Sequence, residues 1–292
     1  VGLHIITFLI RNRRPLPDYQ EAAFSIPKMS EGGNQLKNQT ENLLTKLRAE
    51  QPLIHCITNI VVANFQANGL LALGASPVMA DAIEEAAEIA AVSSATVLNI
   101  GTLKRDTVEA MILAGKSATK NGSPVVLDPV GAGATSFRKD CVRQILNEVD
   151  ITLIRCNAGE LAAIAGGVWQ AKGVDAGEGD ADIEDIAKDV ARKHNCVVAV
   201  SGTVDILTDG IEIIKITGGH PLMTRVTGVG CLLSSVVGAF LAVARENKME
   251  GAATALTFYK RAGEKAAELA EGPGDFAVHF LNALYSEEDI EK

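Results

Sequence analysis

Short apolar runs alternate with longer segments of helical period through most of this 292-residue chain. That alternation constrains the fold more than any other feature. A strand buried on both faces reads as a nearly unbroken apolar run, and parallel neighbours need a crossover, usually a helix. Strands are predicted at Leu53–Ile57, Thr96–Ile100, Pro124–Leu127, Ile151–Ile154 and Cys196–Val200. Helices are predicted at Asn38–Glu50, Asp81–Val92, Arg105–Lys120, Lys139–Glu148, Ala181–His194, Cys231–Ala244 and Glu250–Ala270, with a helical end to the chain and Asp81 as a candidate N-cap. Asp209-Gly210, between Asp205–Thr208 and Glu212–Ile216, is a hairpin signal. The fold class that follows is α/β, a mainly parallel central sheet with helices on both faces. Residues 1–35 have no sustained period and end in Glu31-Gly32-Gly33. They are read as an N-terminal extension, either disordered or foreign to a natural start at Met29, with an organellar leader as a further reading. Residues 36–292 are expected to form one domain.

Hydrophobic residues make up 47% and charged residues 22%, enough to bury a sizeable core and too apolar for a disordered chain. Lys and Arg number 27 against 36 Asp and Glu, a net charge of −9. Such an acidic chain is a poor general binder of nucleic acid or of anionic membrane, so neither is expected as a partner. Any phosphate must be held locally, by backbone NH groups, a few cations or a metal. No apolar run reaches the roughly 18 residues of a membrane-spanning helix. The five cysteines, at 56, 141, 156, 196 and 231, form no CxxC pair, which predicts reduced thiols and a cytoplasmic location.

In a parallel sheet, ligands bind beyond the carboxyl ends of the strands. Four predicted strands end in glycines, hydroxyls, carboxylates or an amide: Gly101-Thr102, Asp128-Pro129-Val130-Gly131, Asn157-Ala158-Gly159-Glu160 and Ser201-Gly202. Polar strand ends and glycine turns are common, so together they point to one rim without naming its chemistry. The sharpest feature is Thr227-Gly228-Val229-Gly230-Cys231 before an apolar helix. Gly228 and Gly230 let backbone approach a ligand, and the free NH groups of a helix start can hold negative charge on a transferring phosphoryl group. The turn lacks the lysine of a P-loop and the spacing of a dinucleotide fingerprint. Cys231, at the helix start, is expected to have a lowered pKa and to act as base or nucleophile. The other four cysteines are read as small core residues. Glu160 has two readings: a carboxylate holding a Mg²⁺-bound water, or the N3 partner of an Asn157 N-cap.

These residues occur in longer matching stretches. They include His55-Cys56-Ile57-Thr58-Asn59, Gly69-Leu70-Leu71-Ala72-Leu73-Gly74-Ala75-Ser76-Pro77-Val78-Met79 and Asn99-Ile100-Gly101-Thr102-Leu103. Others are Leu127–Gly131, Asn157–Glu160, Ser201–Asp205, Thr227–Cys231 and Glu271-Gly272-Pro273-Gly274-Asp275-Phe276. In this order, from about residue 38 to 285, the chain resembles the hydroxyethylthiazole kinases, a ribokinase-like family. The resemblance implies a ribokinase-like fold and an ATP-dependent phosphorylation of the primary alcohol of 4-methyl-5-(2-hydroxyethyl)thiazole, in thiamine biosynthesis or salvage. It also implies Cys231 as the catalytic base, where most ribokinase-like enzymes carry aspartate. Met79, Gly228 and Asn59 would contact the thiazole, Arg138 and Ser201 would bind ATP, and Gly228 and Gly230 would form the anion hole. Glu160 and Asp128 would organise Mg²⁺. A homotrimer with its sites at subunit interfaces is a further implication, and the apolar segment Gly69–Met79 is expected to be exposed and to need a partner surface. Competing readings are a ribokinase-like kinase for another acceptor, a dehydratase for hydrated nicotinamide cofactors, and a non-catalytic thiazole binder.

Overall fold

The computed structural model describes residues 42–166 and 180–286. The extension read at 1–35 lies outside them, as do residues 38–41 of the first predicted helix. Eight strands form one sheet: β1 (Leu53–Ile57), β2 (Ser76–Val78), β3 (Ala95–Asn99), β4 (Val125–Asp128), β5 (Leu153–Asn157), β6 (Val197–Ser201), β7 (Asp205–Thr208) and β8 (Ile213–Ile216). Their order across the sheet is β2-β1-β3-β4-β5-β6-β7-β8. All neighbours from β2 to β6 are parallel, and β7 and β8 close one edge antiparallel. The β7–β8 pairing is the predicted hairpin, with Gly210 at φ 95° in its turn.

The helices are α1 (42–50), α2 (Ala63–Leu73), α3 (Ile83–Val92), α4 (Arg105–Lys120), α5 (Ser136–Glu148), α6 (Ala158–Ala165), α7 (Asp180–His194), α8 (Val229–Val243), α9 (Lys248–Leu269) and α10 (Pro273–Tyr285). One face of the sheet packs on α1, α2, α8, α9 and α10, through residues such as Leu70, Val236, Phe240 and Phe276. The other packs on α3 to α7, through Met111, Ile145, Leu161 and Ile186. Alternate strand residues serve the two cores: Ile54 and Cys56 face one, and Ile57 faces the other. This is the α/β architecture expected from the apolar runs.

The differences from expectation are local. Asp81 is not a cap: α3 starts after Ala82, with no side-chain cap and with Glu84 and Glu85 in its first turn to complement the helix dipole. Helix α2 and the edge strand β2 were not resolved by pattern alone, and the segment Gly69–Met79 is not the exposed surface that was expected. Gly69, Leu70, Leu73 and Ala75 are buried within the chain, and Leu71 is the large apolar side chain left outward. Helix α5 begins three residues earlier than predicted, strand β5 extends three residues further, and α8 begins two residues earlier. Each of these shifts moves a site residue.

The order in which strands are added reverses at β1. The connection after β1 runs through α2 to β2 on one side, while β3 lies on the other side and leads into α4 on the opposite face. The carboxyl ends of β1 and β3 therefore flank a topological switch point, where α/β sheets leave a crevice.

Candidate active site

The turn before α8 enters this rim. Gly228 caps the helix in the left-handed conformation, φ 95°, and a Cβ there would lie 3.0 Å from the Phe65 ring. Only glycine meets both conditions. The first turn's amides precede the first helical bond, Leu232 N–H to Gly228 O at 2.8 Å, so those of residues 229–231 lie ahead of the ladder. The remainder of α8 is buried, including Ser234 and Ser235. Tyr259 on α9 donates its hydroxyl hydrogen to the carbonyl of Val229 and holds the turn from below.

A cavity of about 790 Å³ opens beside this turn. Thr227, Gly228, Gly230, Ser201, Arg155 and Lys260 are among its lining residues. Arg155, only 12% exposed, donates from Nη2 to Ser201 Oγ at 2.8 Å and sets Nη1 3.8 Å from Asp128 Oδ1. Its guanidinium nitrogens lie 3.5 Å from where a Cβ on Gly230 would stand. The Arg155 guanidinium, the Ser201 hydroxyl and a helix N-terminus thus converge on one space. Lys260 Nζ sits 3.1 Å from Asp205 Oδ1 and donates to the carbonyls of Gly202, Thr203 and Gly218. Asp205 accepts from the Gly202 N–H in turn, so the loop after β6 is fixed from two sides.

A buried polar chain leads from Arg155 to the thiol. Asp128 is fully buried and accepts from Asn99 Nδ2 and Ser234 Oγ, both at 2.8 Å. Asn99 Oδ1 accepts from Asn59 Nδ2 at 2.9 Å, and that same Nδ2 lies 3.6 Å from Cys231 Sγ. Gly101 keeps the space: a Cβ there would come within 2.7 Å of Asn59. Burial pushes the Asp128 carboxyl up to about 6, against the pull of Arg155, Ser234 and Asn99. A carboxyl whose folded pKa is raised stabilises the fold most fully below its unfolded value, and that contribution disappears as pH rises through the folded one. Asp128→Asn is therefore expected to flatten the fall in chemical stability between pH 4 and 6, checked by urea unfolding across that range.

The profile of the Hydroxyethylthiazole kinase family matches residues 44–288. The chain belongs to this family. It is 55% identical over 240 residues to the hydroxyethylthiazole kinase of an Exiguobacterium species, covering 82% of this chain and 91% of that one. It is 54% identical over 242 residues to that of Haemophilus influenzae, covering 82% and 92%. The solved structure of the Pyrococcus horikoshii hydroxyethylthiazole kinase protein superposes with a TM-score of 0.79 at 39% identity, covering 87% of this chain and 95% of that one. A ribokinase-like protein of Enterococcus faecalis matches at TM-score 0.59 and 12% identity, covering 85% and 93%, a likeness of fold alone.

The family's pattern and the geometry agree unevenly. Gly228, Gly230 and Ser201 line the cavity, and Asn59 and Asp128 join Cys231 through the polar chain. Met79, half-buried against the α2–α8 core, is not among the cavity's lining residues. Buried His55 donates from Nε2 to the carbonyl of Ala80 at 2.6 Å, which anchors the segment carrying Met79. Arg138 lies outside this cavity. It is the third residue of α5, whose cap Thr135 accepts its N–H, and its guanidinium donates to the carbonyls of Ile100, Val130 and Gly101 at 2.6 to 2.8 Å. It clamps the loops after β3 and β4 together and does not line the cavity; the arginines that do are Arg155 and Arg225.

Cys231 also departs from expectation. It is the third residue of α8, half-buried, and burial with the Asp128 carboxylate pushes its thiol above the ordinary value. The amides of Asn99 and Asn59 and the Arg155 guanidinium pull the other way without reversing it. Glu160 realises its capping reading: Asn157 Oδ1 accepts from Glu160 N–H, and Glu160 Oε2 accepts from Asn157 N–H. Its Oε1 accepts from the Gly131 N–H, so this carboxylate also ties the β4 loop to α6. Sequence reasoning missed Arg155, Asn99, Lys260 and Ser234. Arg155 alone carried a local signal, since an arginine within a buried apolar run needs a partner.

Proposed function

We propose that this chain transfers the γ-phosphoryl group of ATP to the primary alcohol of 4-methyl-5-(2-hydroxyethyl)thiazole, with Cys231 beside the acceptor hydroxyl and Arg155 and Ser201 at the phosphates. The observation that carries this reading is the meeting of Arg155, Ser201 and residues Gly228 to Gly230, which lead directly into Cys231, at one cavity. The alcohol oxygen forms the new P–O bond, the bond from the γ phosphorus to the bridging oxygen breaks, ADP leaves, and the alcohol proton passes to Cys231 Sγ in its thiolate form, giving the neutral thiol. A loose transition state leaves the nucleophile little charged until late, so a modest base suffices. The amides at the start of α8 and the Arg155 guanidinium would stabilise charge on the moving phosphoryl oxygens.

Asp128 and Glu160 fit a Mg²⁺ ion accompanying ATP. Asp128 Oδ1 has no hydrogen-bond partner, and each Glu160 oxygen accepts a single backbone N–H. Among the described residues no group of three or more His, Cys, Asp or Glu could hold a metal by itself, which suits an ion bound largely by water and phosphate oxygens. When bound, the ion would offset phosphate charge in an acidic protein. An acceptor screen with MgATP, read by product mass, tests the reaction: the thiazole alcohol gains one phosphoryl group, and no gain on it would overturn the reading.

Arg155→Ala is expected to raise the ATP KM at least tenfold, because each charge-assisted hydrogen bond to phosphate is worth about 1.5–3 kcal/mol. Arg138→Ala, which removes a loop clamp, should instead lower the thermal midpoint and affect ATP less. Steady-state kinetics and thermal melts of both variants decide between the two arginines; a larger ATP effect from Arg138 would restore the family-based expectation.

The chain is further proposed to form a homotrimer whose neighbours complete the thiazole pocket. Ile60 and Val61 directly follow Asn59 and are 79% and 65% exposed, and Leu71 on α2 is 60% exposed. Such apolar side chains beside a site suit a covering subunit. Light scattering should give three times the chain mass at micromolar concentration, and a monomer mass would rule the trimer out. Among the described residues no helix is long and apolar enough to cross a membrane.

A further inference from the structure

The direction of the amide chain that ends at Cys231 is fixed from its far end. A carboxylate oxygen accepts and a backbone N–H donates. Asn99 therefore turns its Nδ2 to Asp128 Oδ2, at 2.8 Å, and its Oδ1 to the Gly101 N–H, at 2.9 Å. Asparagine orientation must be inferred from its partners, and here both partners give the same answer. Asn99 Oδ1 also needs a donor from Asn59, which is Nδ2 at 2.9 Å. Asn59 thus turns its NH₂ group, rather than its carbonyl, towards the sulfur 3.6 Å away. Asn99 and Asn59 are 1% and 5% exposed, so little solvent competes for either amide.

We propose that Asn99 is a positioning residue for the phosphoryl transfer: by fixing the direction of the Asn59 amide, it makes Cys231 Sγ a hydrogen-bond acceptor. An accepting sulfur is stabilised as the thiolate, the form that can take a proton from the alcohol. With Asn59 reversed, its carbonyl would face the sulfur and hold the S–H hydrogen in place. The inference rests on the catalytic reading of Cys231 above. Besides the two amides, the Asp128 carboxylate on β4, the Arg155 guanidinium on β5 and the Tyr259 hydroxyl on α9 act on this sulfur electrostatically. All three groups remain in the variants below.

The test is the rate at which iodoacetamide alkylates Cys231 in the full chain between pH 7 and 10, read by peptide mass. The other four cysteines are buried, which favours the one site. Asn59→Leu and Asn99→Leu should each slow alkylation at pH 8 about tenfold, the effect of losing one hydrogen bond to a charged group. If Asn99 acts through Asn59, the double variant will be no slower than Asn59→Leu. Turnover should fall with alkylation while the ATP KM holds. Asn99→Ala removes the same amide without added bulk, should leucine prevent folding. Wild-type alkylation in the Asn99 variants, or losses that multiply in the double variant, would overturn the positioning role. Full turnover in Cys231→Ala would overturn the catalytic reading, and with it that role, while slowed alkylation would still establish the hydrogen-bond direction.

Discussion

Cys231→Ala is expected to lower kcat by about 10²–10⁴-fold, the usual worth of general-base assistance, with ATP binding retained. The residue sits in the first turn of α8, in reach of the Asn59 amide and beside a cavity lined by the two glycines that precede it. Its raised pKa adds a second expectation. Burial favours the neutral thiol, so the thiolate is the minor form at neutral pH and its share grows as pH rises. Turnover of the wild-type chain should therefore climb through pH 9 at saturating MgATP, whereas the alanine variant should show a flatter profile. Rates measured across pH 6.5–9.5 for both proteins check this. Near-wild-type turnover in the alanine variant would reduce Cys231 to a packing residue and leave the helix start and Arg155 as the main catalytic devices.

Lys260→Met should cost about 3–5 kcal/mol of stability, because it leaves a buried carboxylate without its partner. The two side chains are 8% and 5% exposed, and three carbonyls share the ammonium group with Asp205. Burial already pushes the Asp205 carboxyl above its usual range, with Gly202 N–H and Lys260 opposing that push. The double variant Lys260→Met/Asp205→Leu should recover much of the loss, since it removes the stranded charge as well as the pair. Urea unfolding of the single and double variants measures both. Equal destabilisation in the two would mean that the carbonyl contacts, and not the ion pair, hold this wall of the cavity. The loop after β6 carries Gly202 and Thr203 and follows Ser201, so the single variant should also weaken ATP use.

Apart from α2 and β2, the strand and helix order was legible because it depends on short-range pattern. A four-residue run such as Val125–Asp128 or a helix such as Arg105–Lys120 is written in adjacent residues, and parallel packing on both faces follows from unbroken apolar strands. The Gly228–Cys231 turn was legible for the same reason, since glycine and the start of an apolar helix are neighbours in the chain. Asn157 and Glu160 also declared their capping box in sequence. What only the tertiary structure decided is where side chains meet across the sheet. Arg138 and Arg155 both lie near strand ends, but α5 starts early enough to turn Arg138 onto three carbonyls, while β5 runs on far enough to carry Arg155 into the cavity beside Ser201. Asn59, Asn99, Asp128 and Ser234 come from one loop and three elements up to 175 positions apart, and their hydrogen bonds set the environment of one thiol. A helix start by itself argues for a lowered thiol pKa; burial and the Asp128 charge argue against it and prevail, because desolvation depends on neighbours that sequence spacing does not reveal.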